Sequence, residues 1–330
     1  MNDFRTELTP QPSAFPLNLK DKIFTIGSCF ADEIGSLLVE NKFQVLNNPY
    51  GTVYNPVSIH QLLYYSLFKI FPPKKGYSQN GDVYFHYDFH SSFSSLHEDE
   101  LKKRIKDSII DSNQFLESSN RLIITYGTAF VYFLTSQDVV VANCHKMPSG
   151  DFQKVLLTEE QIVRSFSEFY QQLKTKLPTI KIILTVSPVR HLKDTLELNS
   201  ASKSILRTAC HAITERHKDV EYFPAYEILL DDLRDYRFYK TDRLHPTEEA
   251  VEYIWKKFTN AYFDEATKRF LVDWKKTKSD LNHKSFHPQS EGHQKFLKSL
   301  LRKLETFQSL VDVRAEIMDV KSKILNPLRA

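Results

Sequence analysis

Short apolar runs alternate with long amphipathic stretches along this chain of 330 residues. The runs are rich in Ile, Val, Leu and Phe, which is typical of strands buried on both faces, whereas the stretches repeat apolar residues every three or four positions, as helices do. Strands are predicted at residues 22–26, 42–46, 121–125, 181–187 and 220–223. Helices are predicted at residues 30–41, 56–69, 98–119, 159–177, 200–218 and 247–258. The alternation predicts an α/β fold with a mainly parallel sheet and helices on both of its faces.

Residues 71–97 interrupt this alternation between the second and third predicted strands. Their apolar and aromatic residues alternate with other residues at Val83, Phe85, Tyr87 and Phe89, which is the two-residue period of a strand. We therefore expect a hairpin-like insertion, or a cap, near the carboxyl edge of the sheet.

The composition changes after residue 260, where a lysine-rich segment precedes a predicted helix at residues 291–325. Apolar residues recur along this helix at heptad-like spacing, namely Phe296, Leu297, Leu300, Leu301, Leu304, Phe307, Leu310 and Val311. Such a face either docks on the core or pairs with a second chain in a homodimer. We therefore expect an N-terminal extension packed on the core (1–21), an α/β domain (22–260) and a helical C-terminal extension (261–330).

The overall composition excludes several classes of protein. Lys and Arg number 44 against 41 acidic residues, and a net charge of +3 is too small to indicate a nucleic acid or an anionic membrane as partner. No apolar run is long enough for a signal peptide or a membrane span. The three cysteines, Cys29, Cys144 and Cys210, form no CxxC pair and fit reduced thiols. We expect a cytoplasmic protein.

Three of the eight glycines, Gly27, Gly51 and Gly127, directly follow or lie just beyond predicted strands. In open α/β sheets ligands bind at the carboxyl ends of the strands, where glycine allows the backbone to approach a substrate closely. The alternative for each glycine is a simple tight turn. Ser28 follows Gly27 and precedes a predicted helix, so its hydroxyl either caps that helix or serves as a nucleophile at the positive helix end.

A second motif near the end of the α/β region favours the nucleophile. Asp242 and His245 stand three residues apart, just before a predicted helix. A carboxylate at this spacing can hold one imidazole nitrogen while the other nitrogen accepts a proton from a serine. Together with Ser28, these residues predict a Ser-Asp-His triad.

The residues around Ser28 also carry a resemblance to a known family. Gly27-Ser28-Cys29-Phe30-Ala31 is the motif that names the GSCFA family, which is similar to the SGNH/GDSL hydrolases. Further blocks that resemble the family are Asn48-Pro49-Tyr50-Gly51, Tyr126-Gly127-Thr128-Ala129, Asn143-Cys144-His145-Lys146, Ser187-Pro188-Val189-Arg190-His191 and Asp242-Arg243-Leu244-His245-Pro246. The resemblance implies a flavodoxin-like three-layer α/β/α sandwich, with Ser28 as nucleophile, Asp242 and His245 as its partners, and the amides of Ser28 and Gly51 in the oxyanion hole.

The sequence departs from the GDSL pattern at one oxyanion donor. Those enzymes carry Gly-x-Asn after the third strand, whereas this chain has Ala129 in place of the Asn. One missing donor costs about 3 to 4 kcal/mol of transition-state stabilisation. We predict Asn143 as the replacement, with a turn cap as the alternative. Gly127 and His90 are predicted substrate contacts.

Cys29 lies next to Ser28 and invites a second interpretation, that of a thiol nucleophile. We favour a small core residue, because neighbours in sequence at a strand end point in different directions. Neither Cys144 with His145 nor His283, His287 and His293 have the spacing of a zinc site, so no metal or cofactor is predicted.

These observations predict a serine-dependent ester hydrolase that acts on a small-molecule or carbohydrate ester. The same chemistry with a sugar hydroxyl as acceptor would make an O-acyltransferase. A third alternative is a non-catalytic binding protein on an SGNH-like fold. The distance between the predicted nucleophile and His245 distinguishes catalysis from binding.

Overall fold

The computed structural model describes residues 6–324, so the two ends of the predicted extensions, 1–5 and 325–330, lie outside the described residues. The strands are β1 (Lys22–Gly27), β2 (Gln44–Asn47), β3 (Tyr77–Asn80), β4 (Val83–His86), β5 (Ser94–Ser95), β6 (Arg121–Tyr126), β7 (Phe130–Leu134), β8 (Val139–Val141), β9 (Phe152–Leu156), β10 (Lys181–Val186) and β11 (Val220–Phe223). The helices are α1 (Cys29–Glu40), α2 (Pro56–Phe68), α3 (Glu98–Glu117), α4 (Glu159–Lys176), α5 (Thr195–Arg216), α6 (Ala225–Glu227), α7 (Glu248–Tyr262), α8 (Glu265–Leu281), α9 (Glu291–Phe307) and α10 (Arg314–Lys323).

Five parallel strands form the central sheet, in the order β11-β10-β6-β1-β2. Counted along the chain, this is the flavodoxin-like order 2-1-3-4-5, in which ligands bind where the strand order reverses. That reversal lies between β1 and β6, because β1 is flanked by β2 on one side and β6 on the other. The motif that follows β1 is therefore at the expected place for a site.

Two apolar cores cover the two faces of this sheet. Alternate strand residues such as Phe24 and Ile124 pack against α2, α3, α4 and α5 on one face. Their neighbours Ile23 and Ile123 face the opposite side, where they pack against α1 and α7. This alternation follows from the pleat of each strand. The structure confirms the predicted fold class, a three-layer α/β/α sandwich with a mainly parallel sheet and C-terminal helices.

Two small antiparallel sheets extend from the central one. Strands β3, β4 and β5 form the first, with a hairpin turn at Gly81 whose φ is +63°. Strands β8, β7 and β9 form the second, immediately after Gly127. The second sheet was not among the predicted elements, although Phe130–Leu134 is a run of aromatic and aliphatic residues typical of a strand.

The prediction of a single C-terminal helix at residues 291–325 is wrong. Residue 325 itself lies outside the described residues. Two helices, α9 and α10, occupy this region instead. The break lets Ile317 and Val320 of α10 pack on the apolar face of α9, which also contacts Trp274 of α8. The heptad-like face is therefore largely covered within the chain, while a homodimer through the C-terminal helix stays a prediction.

Residues 6–21 run along the end of the α/β layers. Leu17 pairs with Phe263, and its N–H donates to the carbonyl of Tyr262. Between residues 6 and 324, no helix combines the length and the apolar character that a membrane crossing requires.

Candidate active site

Asp242 and His245 lie within hydrogen-bond distance of each other through the carboxylate and one imidazole nitrogen, as their spacing suggested. The loop that carries them is closed by the N–H of Lys240, which donates to the carbonyl of His245 at 2.7 Å. Arg243 lies between them with a φ of +60°, so the chain turns sharply there. This turn places Asp242 Oδ2 at 2.7 Å from His245 Nδ1.

The carboxylate of Asp242 accepts hydrogen bonds from two backbone N–H groups as well as contacting His245. Its Oδ1 accepts the N–H groups of Leu244 at 2.8 Å and His245 at 3.0 Å. The Leu244 N–H, the His245 side chain and the His245 N–H hold the pKa of Asp242 well below its usual range. An ionised carboxylate on Nδ1 favours the tautomer with its proton there, so Nε2 becomes the acceptor.

The side chain that meets Nε2 is the thiol of Cys29, whose Sγ lies 3.7 Å away. Cys29 is the first residue of α1 and is partly exposed at the carboxyl end of β1. The interpretation of Cys29 as a core residue is therefore wrong. The thiol of Cys29 thus contacts the imidazole of His245, which in turn contacts the carboxylate of Asp242. Nucleophilic catalysis requires such a chain of contacts.

Ser28, the predicted nucleophile, has a different environment. Its side chain is completely buried, and Oγ accepts the N–H of Phe30 at 3.3 Å as the N-cap of α1. Its own N–H donates to the carbonyl of Thr125 at 3.1 Å. A capping side chain turns back onto the first helical turn. No described hydrogen bond joins Ser28 to His245, and the side chain that contacts Nε2 is that of Cys29, so the role of Ser28 as nucleophile stays a prediction.

Several groups act on the charge of Cys29. Burial raises the pKa of its thiol, and Asp32, one turn further along α1, raises it as well. The N–H groups of Cys29 and Phe30 and the ammonium of Lys203 act in the opposite direction. Because the net shift is upward, the thiol is protonated at neutral pH and needs a base.

Gly51 and His90 lie together beside the site. Gly51 has a φ of +71°, and a Cβ there would lie 2.8 Å from the Cβ of His90. The N–H of Gly51 donates to the carbonyl of Asn48 at 2.8 Å. The side chain of Asn48 in turn donates to Asp32 at 2.9 Å, so this loop is tied to α1. The N–H of Gly51, which was predicted to bind the oxyanion, therefore already has an acceptor within the protein, the carbonyl of Asn48.

Gly127 separates Ser28 from the ring of Tyr54. A Cβ at Gly127 would lie 3.1 Å from Tyr54 and 3.3 Å from the Cβ of Ser28. Its N–H donates to the carbonyl of Tyr54 at 2.8 Å, and its carbonyl accepts Lys203 Nζ at 2.6 Å. Gly127 thus permits close packing of Tyr54 against Ser28.

Asn143 closes a turn after β8. Its Oδ1 accepts the N–H of His145 at 2.8 Å, and its own N–H donates to Tyr87. These contacts correspond to the turn-cap alternative, and no described hydrogen bond connects Asn143 with Cys29 or His245. Its role as an oxyanion donor stays a prediction. Within residues 6–324, no three His, Cys, Asp or Glu side chains are grouped so as to hold a metal.

Sequence reasoning missed two groups near the site, the buried Lys203 and the partly buried His191. Lys203 occupies the apolar stripe of α5 together with Leu206, Cys210 and Ile213. A lysine in a buried stripe was a signal available from the sequence. His191 follows β10 with its ring edge against Tyr54, and burial, Lys203 and His245 lower its pKa to about 3.

The fold and the site together define a flavodoxin-like α/β protein with a Cys-His-Asp constellation at its sheet edge. The chain belongs to the GSCFA family: the family model matches residues 22–258, and the model of the GSCFA domain protein C-terminal domain matches residues 274–326. No curated protein matches the sequence.

Solved structures resemble the chain only distantly. A protein named for platelet activating factor, from Streptococcus pneumonia, has 11% identity over 74% of this chain and 85% of its own, with a TM-score of 0.40. Family 3 carbohydrate esterases from Talaromyces cellulolyticus and Clostridium thermocellum have 8% and 12% identity, each over 77% of this chain and 99% and 98% of theirs, with TM-scores of 0.34 and 0.31. Likenesses this distant leave the activity to be argued from the site.

Proposed function

We propose that this protein is an ester hydrolase in which Cys29 is the nucleophile, His245 the general base and Asp242 the residue that orients the imidazole. The observation that carries the proposal is the contact of 3.7 Å between Cys29 Sγ and His245 Nε2, with Asp242 at 2.7 Å from Nδ1. It replaces the serine nucleophile predicted at Ser28.

The reaction has two steps. In the first, Sγ attacks the ester carbonyl while Nε2 of His245 takes the thiol proton, and the tetrahedral intermediate then expels the alcohol, which receives that proton. In the second, water attacks the thioester on Cys29 with His245 as base, and the acid leaves as the thiol regains its proton. Asp242 stays ionised and stabilises the imidazolium in both steps.

The oxyanion needs donors near Cys29. The Ser28 and Gly51 amides already donate to carbonyls. The Cys29 amide is at the first position of α1, where a helix provides no internal acceptor and its dipole favours negative charge. We assign this amide as the principal donor, which explains how the site can function with Ala129 at the usual Asn position.

The substrate class follows from the sequence prediction: a small-molecule or carbohydrate ester. Tyr54 supports it, because its ring lies beside Gly127 and is partly exposed, as a surface for a sugar or acyl group would be. An O-acyltransferase would share the thioester and differ only in the acceptor that attacks it.

The test is hydrolysis of p-nitrophenyl acetate by matched variants. Cys29→Ala is expected to abolish turnover, whereas Ser28→Ala retains catalysis with a loss of stability from the missing cap. Cys144→Ala controls for loss of a partly exposed thiol elsewhere. Activity retained in Cys29→Ala would refute the nucleophile, and products formed only with an added sugar would identify an acyltransferase.

A further inference from the structure

Lys203 is a buried lysine hydrogen-bonded to Gly127, the glycine that packs against Ser28, the residue before Cys29. Its exposure is 1%, and Nζ donates to the carbonyl of Gly127 at 2.6 Å and to that of Ser187 at 2.7 Å. These carbonyls belong to the residues directly after β6 and β10, which are neighbouring strands of the central sheet. The lysine thereby ties two strand ends together at the carboxyl edge of the sheet.

A buried ammonium is costly unless a negative charge compensates for it. Within residues 6–324, the hydrogen-bond partners of Lys203 are those two carbonyl oxygens and no carboxylate. The group that favours its charged form is Cys29, and Lys203 lowers the pKa of Cys29 in return. The charge of this lysine is thus best compensated when the thiol is ionised.

The other titratable groups around the pair come from several elements. Asp32 on α1 raises the pKa of Cys29, and Tyr54 lies beside Gly127. His191, after β10, is held neutral partly by Lys203. His245, before α7, takes the thiol proton in the proposed reaction, with Asp242 behind it. Lys203 thus acts on Cys29 from the ends of β6 and β10, whereas His245 contacts the sulfur from the loop before α7.

We propose that Lys203 is a positioning residue whose buried ammonium, fixed on the carbonyls of Gly127 and Ser187, stabilises the thiolate of Cys29. The inference rests on the proposed role of Cys29. Lys203 does not touch the substrate, because its side chain is enclosed behind the strand ends. Burial lowers the pKa of Lys203 to about 7. An ionised thiol raises that pKa again, so thiolate formation favours the protonated lysine.

The test measures the thiol itself and not catalysis. Alkylation of Cys29 by iodoacetamide is followed against pH, by mass spectrometry of the peptide that contains it. Lys203→Met should move the midpoint up by about one pH unit and slow alkylation near neutral pH about tenfold. Asp32→Asn should move the midpoint the opposite way. A folded Lys203→Met protein with an unchanged profile would overturn the proposal.

Lys257→Met is the matched control. Lys257 is also a buried lysine, but it lies on α7 and donates to the carbonyl of Leu8 and to Glu7. Its loss should leave the alkylation profile of Cys29 in place. A shift equal to that of Lys203→Met would assign the effect to general loosening, and would also overturn the proposal.

A second measurement needs no change at Lys203, in case that variant does not fold. In a Cys144→Ala background, Cys29 is converted by iodoacetate to a carboxymethyl side chain or by iodoacetamide to a neutral side chain of equal size. Carbon-13 NMR of labelled lysines should show one lysine that titrates near neutral pH, at a higher pH in the carboxymethyl form. No such lysine, or no difference between the forms, would contradict the coupling. Both tests are readable even if ester hydrolysis does not depend on Cys29.

Discussion

The thiol of Cys29 lies 3.7 Å from Nε2 of His245, whereas the hydroxyl of the preceding Ser28 accepts a hydrogen bond from Phe30. Two adjacent residues thus divide two tasks at the start of α1. Ser28 stabilises the helix as its N-cap, and Cys29, which contacts the imidazole, is the nucleophile of the proposed mechanism. This division changes the expected intermediate from an ester to a thioester.

Asp242→Asn should lower kcat about 10³-fold or more with little change in KM, because an amide favours the wrong imidazole tautomer. The variant should remain folded, since Asp242 is on an exposed part of the loop. Steady-state kinetics with a chromogenic ester measure the effect. Asp231→Asn, at an exposed carboxylate, is the control and should behave as wild type. A kcat within a factor of a few of wild type would remove Asp242 from the mechanism.

Gly51→Ala should destabilise the protein and reduce activity. The residue has a φ of +71°, and a Cβ would lie 2.8 Å from that of His90. Gly81→Ala provides a matched comparison, because Gly81 has a φ of +63° with open space around it. The positive φ should cost both variants about 1 kcal/mol in free energy of unfolding. Only Gly51→Ala should lose more, because only its Cβ would collide with a neighbour. Equal losses in urea denaturation would contradict the close packing against His90.

Acid should destabilise the protein partly through His60. This side chain is buried between Ser165 and Tyr126, and burial lowers its pKa from 6.5 to about 3. Below pH 6.5 His60 binds a proton in the unfolded chain, whereas in the folded chain it stays neutral down to about pH 3. The free energy of unfolding therefore decreases as pH falls through this range.

Urea denaturation at a series of pH values measures this loss, which should be about 1.4 kcal/mol per pH unit for one histidine. His60→Leu should have a shallower slope than wild type, whereas His211→Leu, at an exposed position on α5, should not. Parallel slopes for all three proteins would show that His60 is charged in the folded state.

The central sheet was largely predictable because its inner strands are buried on both faces. Runs such as Arg121–Tyr126 and Lys181–Val186 begin with a basic residue and are otherwise mainly apolar and β-branched, which is the pattern of a buried parallel strand. The pairing of Asp242 with His245 was also predictable, since both belong to one tight turn whose geometry is local.

Other features depend on details that pattern reasoning does not resolve. A helix start at Cys29 instead of Phe30 decides which of two adjacent side chains faces His245, and helix ends are uncertain by one or two residues. The position of Lys203 in the buried stripe of α5 is visible in the sequence, but its partners, two backbone carbonyls after distant strands, are not. The break between α9 and α10 lets both helices pack in one cluster with Trp274, a tertiary arrangement that the heptad-like pattern does not contain.

The identity of the acylated atom distinguishes Cys29 from Ser28 as the nucleophile. The protein is mixed with p-nitrophenyl acetate, quenched in acid during turnover and digested, and the peptide is fragmented between residues 28 and 29 in a mass spectrometer. We expect an acetyl group on Cys29 that neutral hydroxylamine releases, as it does with thioesters, and that is absent from Cys29→Ala. An acetyl group on Ser28 that resists hydroxylamine would contradict this expectation.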